Sequence, residues 1–262
     1  MSGIKEILKG VVPEKYRPAI RRYLFKLKSF PNLGAEYYCP CCEVSLKKFL
    51  PYGVGSAVKR PNALCPLCGS LERHRLLWLY LKNRTNLLKE NITLLHIAPE
   101  PVLRNKFRYL KNVRYVSVDL CSPLVSVKTD ITRLSFRDRA FDAIFCSHIM
   151  EHIPDDAAAM RELYRVLKPG GWAIIQSPLD PGREETYEDP NIVAPEDRER
   201  AFGQSDHVRI YGRDYGDRLG KAGFEVTADG YVREIEKELA VKFGLMIDED
   251  IEDIYVCTKP AA

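Results

Sequence analysis

Between Phe141 and Pro178 the apolar positions change period three times. Asp142 to Cys146 form a short apolar run of strand length. Ala157, Met160, Leu163, Tyr164 and Leu167 then recur at three- and four-residue steps, the period of a helix with one buried face. Pro169-Gly170-Gly171 predicts the end of that helix and a tight turn, because proline lacks an N–H and glycine frees the backbone. Trp172 to Gln176 predict a second buried strand. The helix is expected to begin only near Pro154 or Asp155.

The same logic extends along the chain. Ile92–Ile97 reads as a first strand followed by a helical segment over 102–110. Arg114–Val118 is a second strand ending in Asp119, and Val125–Lys128 a short third. A periodic helix over 214–222, a strand from Phe224, a charged helix or loop over 232–243 and a closing strand at 254–258 complete the pattern. Strands alternating with helices predict an α/β domain built on a mostly parallel sheet. Loops leaving such strands at their carboxyl ends line the ligand crevice, which directs attention to Ser147, His148, Glu151 and His152.

Composition narrows the class. With 262 residues and 45% apolar content, the chain has room for one large α/β domain and a small accessory unit. No stretch reaches the roughly 18 consecutive apolar residues of a membrane span, and the N-terminus lacks the apolar core of a secretory signal, so the expected compartment is the cytoplasm. The net charge of +4 is unevenly placed. Residues 1–90 hold 17 Lys/Arg against 6 Asp/Glu, a net +11, which leaves −7 for 91–262. The basic front suggests an anionic partner: RNA, a phosphorylated intermediate or the inner face of a membrane. Segments 4–12 and 14–28 have helical apolar spacing, and the second is ringed by Lys and Arg. Residues 1–34 are therefore expected to be a basic amphipathic helical segment, packed on the protein's own body or lying peripherally at an anionic membrane surface.

Cys39-Pro-Cys-Cys42 and Cys65-Pro-Leu-Cys68-Gly69 are two CxxC turns separated by 22 residues. This spacing brings four thiolates into a tetrahedron suited to structural Zn2+, with Cys39, Cys42, Cys65 and Cys68 as ligands. Cys41 is a spare thiol able to compete with Cys42, and His74 lies close by in sequence. Disulfides require export, and a thioredoxin-like site expects one CxxC beside a βαβ pattern. Residues 35–70 are thus expected to form a zinc ribbon and 71–90 a linking helix, with Ser70 its N-cap. Arg73, His74 and Arg75 at its start read as solvated charge or an anion contact.

FDAIFCSHIMEHI followed by LKPGG resembles the fourth-strand region of class I S-adenosylmethionine-dependent methyltransferases, and the resemblance covers about residues 92–258. It implies a Rossmann-like sheet of order 3-2-1-4-5-7-6 over residues 91–262, and S-adenosylmethionine as cofactor. The family's first junction has the form E/D-x-G-x-G; here it reads HIAPEP, with no glycine. The resemblance nevertheless assigns His96, Ala98 and Glu100 to the cofactor, with Ser147 across the crevice. Asp119 at the second strand's end would take the ribose hydroxyls, with Leu120 after it, and Asp130 and Ile131 would meet the adenine. Neither a GxGxxG fingerprint nor a P-loop is present.

Residues 179–211 form a long polar excursion, read as a lid or pocket wall. "DHVRIY" within it strengthens the resemblance. His148, His152 and His207 are the candidate bases, since imidazole titrates near neutrality. Arg209 or Arg183 would hold an anionic substrate. The string His148-x-x-Glu151-His152 also matches an inverted zinc-protease motif, which needs a continuous helix that Pro154 argues against. Three functions compete: methyl transfer to a small-molecule or glycan-type acceptor, methyl transfer to RNA held by the ribbon and the basic front, and a non-catalytic scaffold with a degenerate cofactor loop.

Overall fold

A computed structural model describes residues 30–53, 59–245 and 253–261. The amphipathic stripes expected within 1–28 lie outside the described residues. The described chain divides into two compact units, 30–79 with 236–245, and 80–235 with 253–261. Residues 236–245 thus group with the cysteine-bearing unit, although the sequence reading placed them in the C-terminal domain.

In the first unit β1 (Leu33–Cys39) pairs antiparallel with β2 (Val44–Leu46), and β3 (Leu50–Tyr52) with β4 (Arg60–Leu64). These are two separate two-stranded sheets. So little sheet gives a small core, and a buried cation organises it. Arg75, fully buried, donates to the carbonyls of Ala63 (2.9 Å), Ser70 (2.8 Å) and Gly244 (2.6 Å), and its guanidinium lies 4.0 Å from the centroid of the Phe49 ring. Arg75 is therefore neither solvated nor free for an anion, contrary to the sequence reading. The contact to Gly244 fixes the short helix Lys237–Lys242 and the residues after it within this unit. Helix α1 (Glu72–Arg84) begins in the first unit and ends in the second.

The second unit is built on a seven-stranded sheet. Chain order runs β5 (Ile92–Ile97), α2 (Pro101–Phe107), β6 (Val113–Asp119), β7 (Val127–Lys128), β8 (Phe141–Ser147), α3 (Asp156–Val166) and β9 (Leu167–Gln176). There follow β10 (Tyr187–Glu188), α4 (Pro195–Phe202), β11 (Arg209–Ile210), α5 (Tyr215–Lys221), β12 (Glu225–Asp229), α6 (Tyr231–Glu234) and β13 (Ile254–Thr258). Across the sheet the order is β12-β13-β9-β8-β5-β6-β7, with β13 antiparallel to both neighbours and the rest of the run from β9 to β7 parallel. β5 and β8 are buried along nearly their whole length, which is why they read as unbroken apolar runs instead of alternating ones. α3 closes one face: Ala159, Met160, Leu163 and Val166 join Leu95, Ile144, Cys146 and Ile175 in one core. Asp155 caps the helix by accepting from Ala158 N.

Pro169-Gly170-Gly171 does not make the expected turn. The chain leaves α3 at Val166 and enters β9 at once, so these residues form a bulge inside the strand, where pairing to β8 slips between Phe141 and Ala143. Gly170 has φ +74, and a Cβ at Gly171 would lie 2.8 Å from the Asp142 carbonyl and 2.9 Å from the Lys168 carbonyl. Alanine at Gly171 must push backbone aside, whereas Gly220 in α5 has open space around it. Gly171→Ala is predicted to destabilise the protein by about 1–3 kcal/mol and Gly220→Ala to stabilise it by about 0.5–1 kcal/mol. Urea unfolding of the two variants beside the parent measures both signs.

Candidate active site and cysteine cluster

The parallel strands end in a level row. Register pairs Ser147 with Gln176, Ile97 with Val118 and Asp119 with Lys128, and two residues beyond the His96–Phe145 pair it brings Ala98 to the level of Ser147. β5 sits where successive strands turn to opposite sides, β6 and β7 one way and β8 and β9 the other. That switch point is where open α/β sheets bind ligands.

Ala98 occupies it with φ +39, a left-handed conformation that favours glycine, and its N–H donates to Val118 O at 2.7 Å. The glycine-free junction thus follows a glycine-like path. Pro101 then opens α2, with Glu100 at the N-cap position and half-buried. His96 does not reach the crevice. Its side chain is buried against Phe107, Tyr115 and Phe145, and its Nδ1 shares a hydrogen bond of 3.0 Å with the Tyr115 hydroxyl. Burial drives its pKa down to about 3. It is a neutral core residue, which corrects its assignment as a cofactor contact.

Asp119 Oδ1 accepts the N–H groups of Cys121 (2.8 Å) and Ser122 (2.7 Å); its Oδ2 accepts none from the described residues. Asp130 Oδ1 accepts from Thr132 N and Oγ1, both at 2.8 Å. Each aspartate therefore shapes its own loop and keeps one oxygen outward. Leu120 is exposed at 66%, with Leu124, which the sequence reading passed over, at 53% nearby in the same loop. Ile131 is drawn into the core beside Val118 and Leu134.

Beyond β8 the chain turns sharply. His148 has φ +57 and anchors its N–H on Gln176 O at 2.7 Å. Its Nδ1 lies 3.5 Å from Glu151 Oε1, while its Nε2 is buried without a partner among the described residues, as is Ser147 Oγ. Buried polar atoms left unpaired are rare in folded proteins and call for a partner such as a water or a ligand group. Glu151 is itself buried. Burial pushes its pKa upward, but hydrogen bonds with His148 and with Ser177 Oγ (2.8 Å) outweigh that and hold it below the ordinary carboxylate value. Ser177 had no signal in the sequence beyond lying just past a strand end.

His152 and His207 face each other, ring centroids 4.7 Å apart. His152 Nδ1 donates to Asp206 O at 3.2 Å. His207 is buried, and desolvation with the nearby His152 lowers its pKa. Residues 150–152 form a single 3-10 turn and α3 starts only at Asp156, so the histidines of the H-x-x-E-H string do not share a continuous helix. The inverted protease motif is thereby excluded.

The excursion over 179–211 is folded: β10 pairs with β11, and Leu179 bridges to Tyr211. Arg209 is not free for substrate. It donates to Met150 O (2.9 Å), Ile153 O, Pro154 O (2.8 Å) and Glu188 Oε2 (2.8 Å), and lies 3.8 Å from Asp156. Asp156 in turn accepts from Tyr211 and Arg218. Arg183 pairs with Asp180 at 3.0 Å and remains partly exposed.

In the first unit Cys39, Cys42, Cys65 and Cys68 cluster with their sulfurs within 4.8 Å of one another, Cys39 to Cys68 at 3.7 Å and Cys42 to Cys65 at 3.8 Å. A zinc–sulfur bond of about 2.3 Å gives a tetrahedron with edges of about 3.8 Å, so these sulfurs fit the ion. The two knuckles repeat one geometry. Glu43 (φ +59) and Gly69 (φ +76) each turn left-handed and donate back to the first cysteine of their pair, Cys39 O at 2.7 Å and Cys65 O at 3.0 Å. The Ser70 hydroxyl lies 3.2 Å from Cys39 Sγ and 3.3 Å from Cys68 Sγ; it serves the sulfurs, not the expected helix cap. Cys41 is buried, donates to His74 O at 3.5 Å and stands outside the four-sulfur group. His74 Nδ1 accepts from Leu71 N at 2.9 Å and is not in the cluster.

Residues 77–175 match the family model described as a methyltransferase domain. The chain is 28% identical over 139 residues to sterol 24-C-methyltransferase of Kluyveromyces lactis, covering 52% of this chain and 36% of that protein. It is 48% identical over 46 residues to demethylmenaquinone methyltransferase of Streptomyces griseus, covering 18% and 20%. These matches span little more than a third of either relative's length at most. Among solved structures, the [4+2]-cyclase SpnF shares 18% identity at a TM-score of 0.50, over 72% of this chain and 82% of that one, a likeness of fold.

His96 generates a pH dependence. Its pKa of about 3 in the fold lies below the roughly 6.5 of an unfolded chain, so between these values only the unfolded state takes up the proton. Stability is predicted to fall by about 1.4 kcal/mol per pH unit on acidification below pH ~6.5, with no contribution from His96 above it. His96→Gln should be less stable at pH 7 yet give a flatter profile between pH ~6.5 and ~4, read by urea unfolding across that range.

Proposed function

We propose that the chain, whose residues 77–175 carry a methyltransferase domain, is an S-adenosylmethionine-dependent methyltransferase acting on a hydroxyl of a small-molecule or glycan-type acceptor. The observation that carries this reading is the pair of unpartnered buried atoms, Ser147 Oγ and His148 Nε2, at the sheet's switch point, level with Ala98. A strand order running 6-7-5-4-1-2-3 from edge to edge, with the seventh strand antiparallel, supports the same reading.

Asp119 Oδ2 is free to accept ribose hydroxyls, Asp130 keeps an oxygen for the adenine amino group, and Leu120 offers an apolar edge. Ala98 lets backbone approach the cofactor's methionine part. S-adenosylmethionine supplies an electrophilic methyl group on a sulfonium. His148 is the base: its Nε2 takes the acceptor proton while Glu151, facing Nδ1, stabilises the imidazolium that forms. Ser177 and the buried position of Glu151 hold that carboxylate still. With S-adenosylmethionine held there, the acceptor oxygen would take its methyl group as the sulfur–carbon bond breaks, leaving a methyl ether, the thioether S-adenosylhomocysteine and the acceptor's proton on His148. His152 and His207 line the far wall, and 179–211 encloses the acceptor. The hydroxyl assignment follows from the His–Glu pair, since a general base matters most for an acceptor that must lose a proton. Transfer of labelled methyl from S-adenosylmethionine into fractionated metabolite and glycan pools tests it. Activity should drop about 10²–10⁴-fold in His148→Ala. An undiminished His148→Ala, or labelling confined to RNA, would overturn it.

Zinc is proposed for Cys39, Cys42, Cys65 and Cys68, in a structural role because all four positions are thiolates and none is left open. Purified protein is expected to carry zinc that Cys65→Ser loses, with unfolding of the first unit seen as new protease cleavage between residues 30 and 79.

A further inference from the structure

Glu151, His152 and His207 offer one ligand atom each within 4.8 Å of one another, two imidazoles and one carboxylate. We propose that these three side chains form a second metal site, for a divalent transition cation such as Zn2+, Mn2+ or Fe2+, inside the acceptor pocket. It shares no residue with the cysteine cluster and has a different donor character. Two neutral nitrogens and one carboxylate suit borderline divalent metals and leave positions open for an exogenous oxygen.

Three features separate this trio from a chance grouping. One histidine is held from behind by main chain. The His152 Nδ1–H donates to Asp206 O at 3.2 Å. Metal-binding imidazoles are held in this manner, because fixing one nitrogen on a carbonyl sets the tautomer and aims the other nitrogen. The carboxylate is supported as well: Glu151 is buried and fixed by Ser177 and His148. Finally, His207 is nine-tenths buried, so its imidazole is held away from bulk water beside the other two side chains. The two segments bearing the site are themselves locked together, since Val208 N donates to Glu151 O at 2.9 Å and Arg209 ties its own strand to the carbonyls of Met150, Ile153 and Pro154.

A cation here would bind the acceptor through oxygen. Resting on the transferase reading, this narrows the acceptor to compounds with two adjacent oxygens, a vicinal diol, hydroxy acid or phosphate ester. One oxygen would sit on the metal and the other near His148 Nε2. The metal would also lower the pKa of a bound hydroxyl and share the work of deprotonation.

The test is titration of Co2+ into the full-length protein whose cysteine cluster already holds zinc, followed by visible absorption. The expected result is one added equivalent with the weak d–d bands of nitrogen and oxygen ligation, without sulfur charge-transfer bands. His207→Ala and His152→Ala should each weaken it tenfold or more. Because His207 is buried, His152→Ala, with a side chain 31% exposed, provides the variant that keeps its fold, checked by circular dichroism. No added equivalent, or binding unchanged in both variants, overturns the site. S-adenosylhomocysteine binding is measured on the same samples. Its presence without Co2+ binding removes the metal and keeps the transferase, and Co2+ binding without it does the reverse.

Discussion

Arg209 is the constraint on which the site's geometry rests. A fully buried guanidinium is tolerated only when its donors are matched, and here they reach three carbonyls of residues 150–154 and the carboxylates of Glu188 and Asp156. Those carbonyls belong to the loop that leaves β8, and the arginine itself sits on β11. One charge therefore locks the strand exit to the folded excursion over 179–211. Removing it would leave Glu188 to Arg218, and Asp156 to Arg218 and Tyr211, and would release the turn that carries Glu151 and His152. What looked in the sequence like a substrate-binding arginine is the fastener between the β8 exit and the excursion.

Once the turn is fixed, the chemistry follows from burial. Glu151 is held ionised in a place where water is scarce, because His148 and Ser177 outweigh the cost of desolvation. His148 is set at positive φ, which swings its ring against that carboxylate and leaves Nε2 facing inward without a partner. Strain and an unsatisfied atom together are what a functional site shows and a structural loop avoids. Ala98 repeats the theme across the switch point, adopting a glycine-like conformation with a side chain that must be tolerated there. The absence of glycine in HIAPEP changed the residue and kept the path.

The large periodic segments were legible because their burial is two-sided or single-faced along the whole element. β5, β8 and α3 fall within one or two residues of their expected limits. Asp119 and Asp130 were legible as strand-end carboxylates. The misreadings come from residues whose roles depend on distant partners. Pro169-Gly170-Gly171 reads locally as a turn, and only pairing with β8 makes it a bulge. His96 reads as a strand-end polar residue, yet Phe107, Tyr115 and Phe145 enclose it. Arg75 and Ser70 read as a helix start, whereas the first unit uses one to bind carbonyls and the other to face the sulfurs. The placement of residues 236–245 with the cysteine unit could not be read, because its links, the Gly244 carbonyl on Arg75 and the Phe243 ring beside Tyr38, join positions far apart in sequence.

The central claim is that the carboxyl edge of β5, β6 and β8 binds a nucleoside bearing a sulfur side chain. Calorimetric titration of the zinc-replete protein with S-adenosylhomocysteine measures it directly. The account predicts one site per chain, weakened tenfold or more in Asp119→Ala without loss of fold. No binding heat at several temperatures, or an Asp119→Ala variant that binds as tightly as the parent, would contradict it.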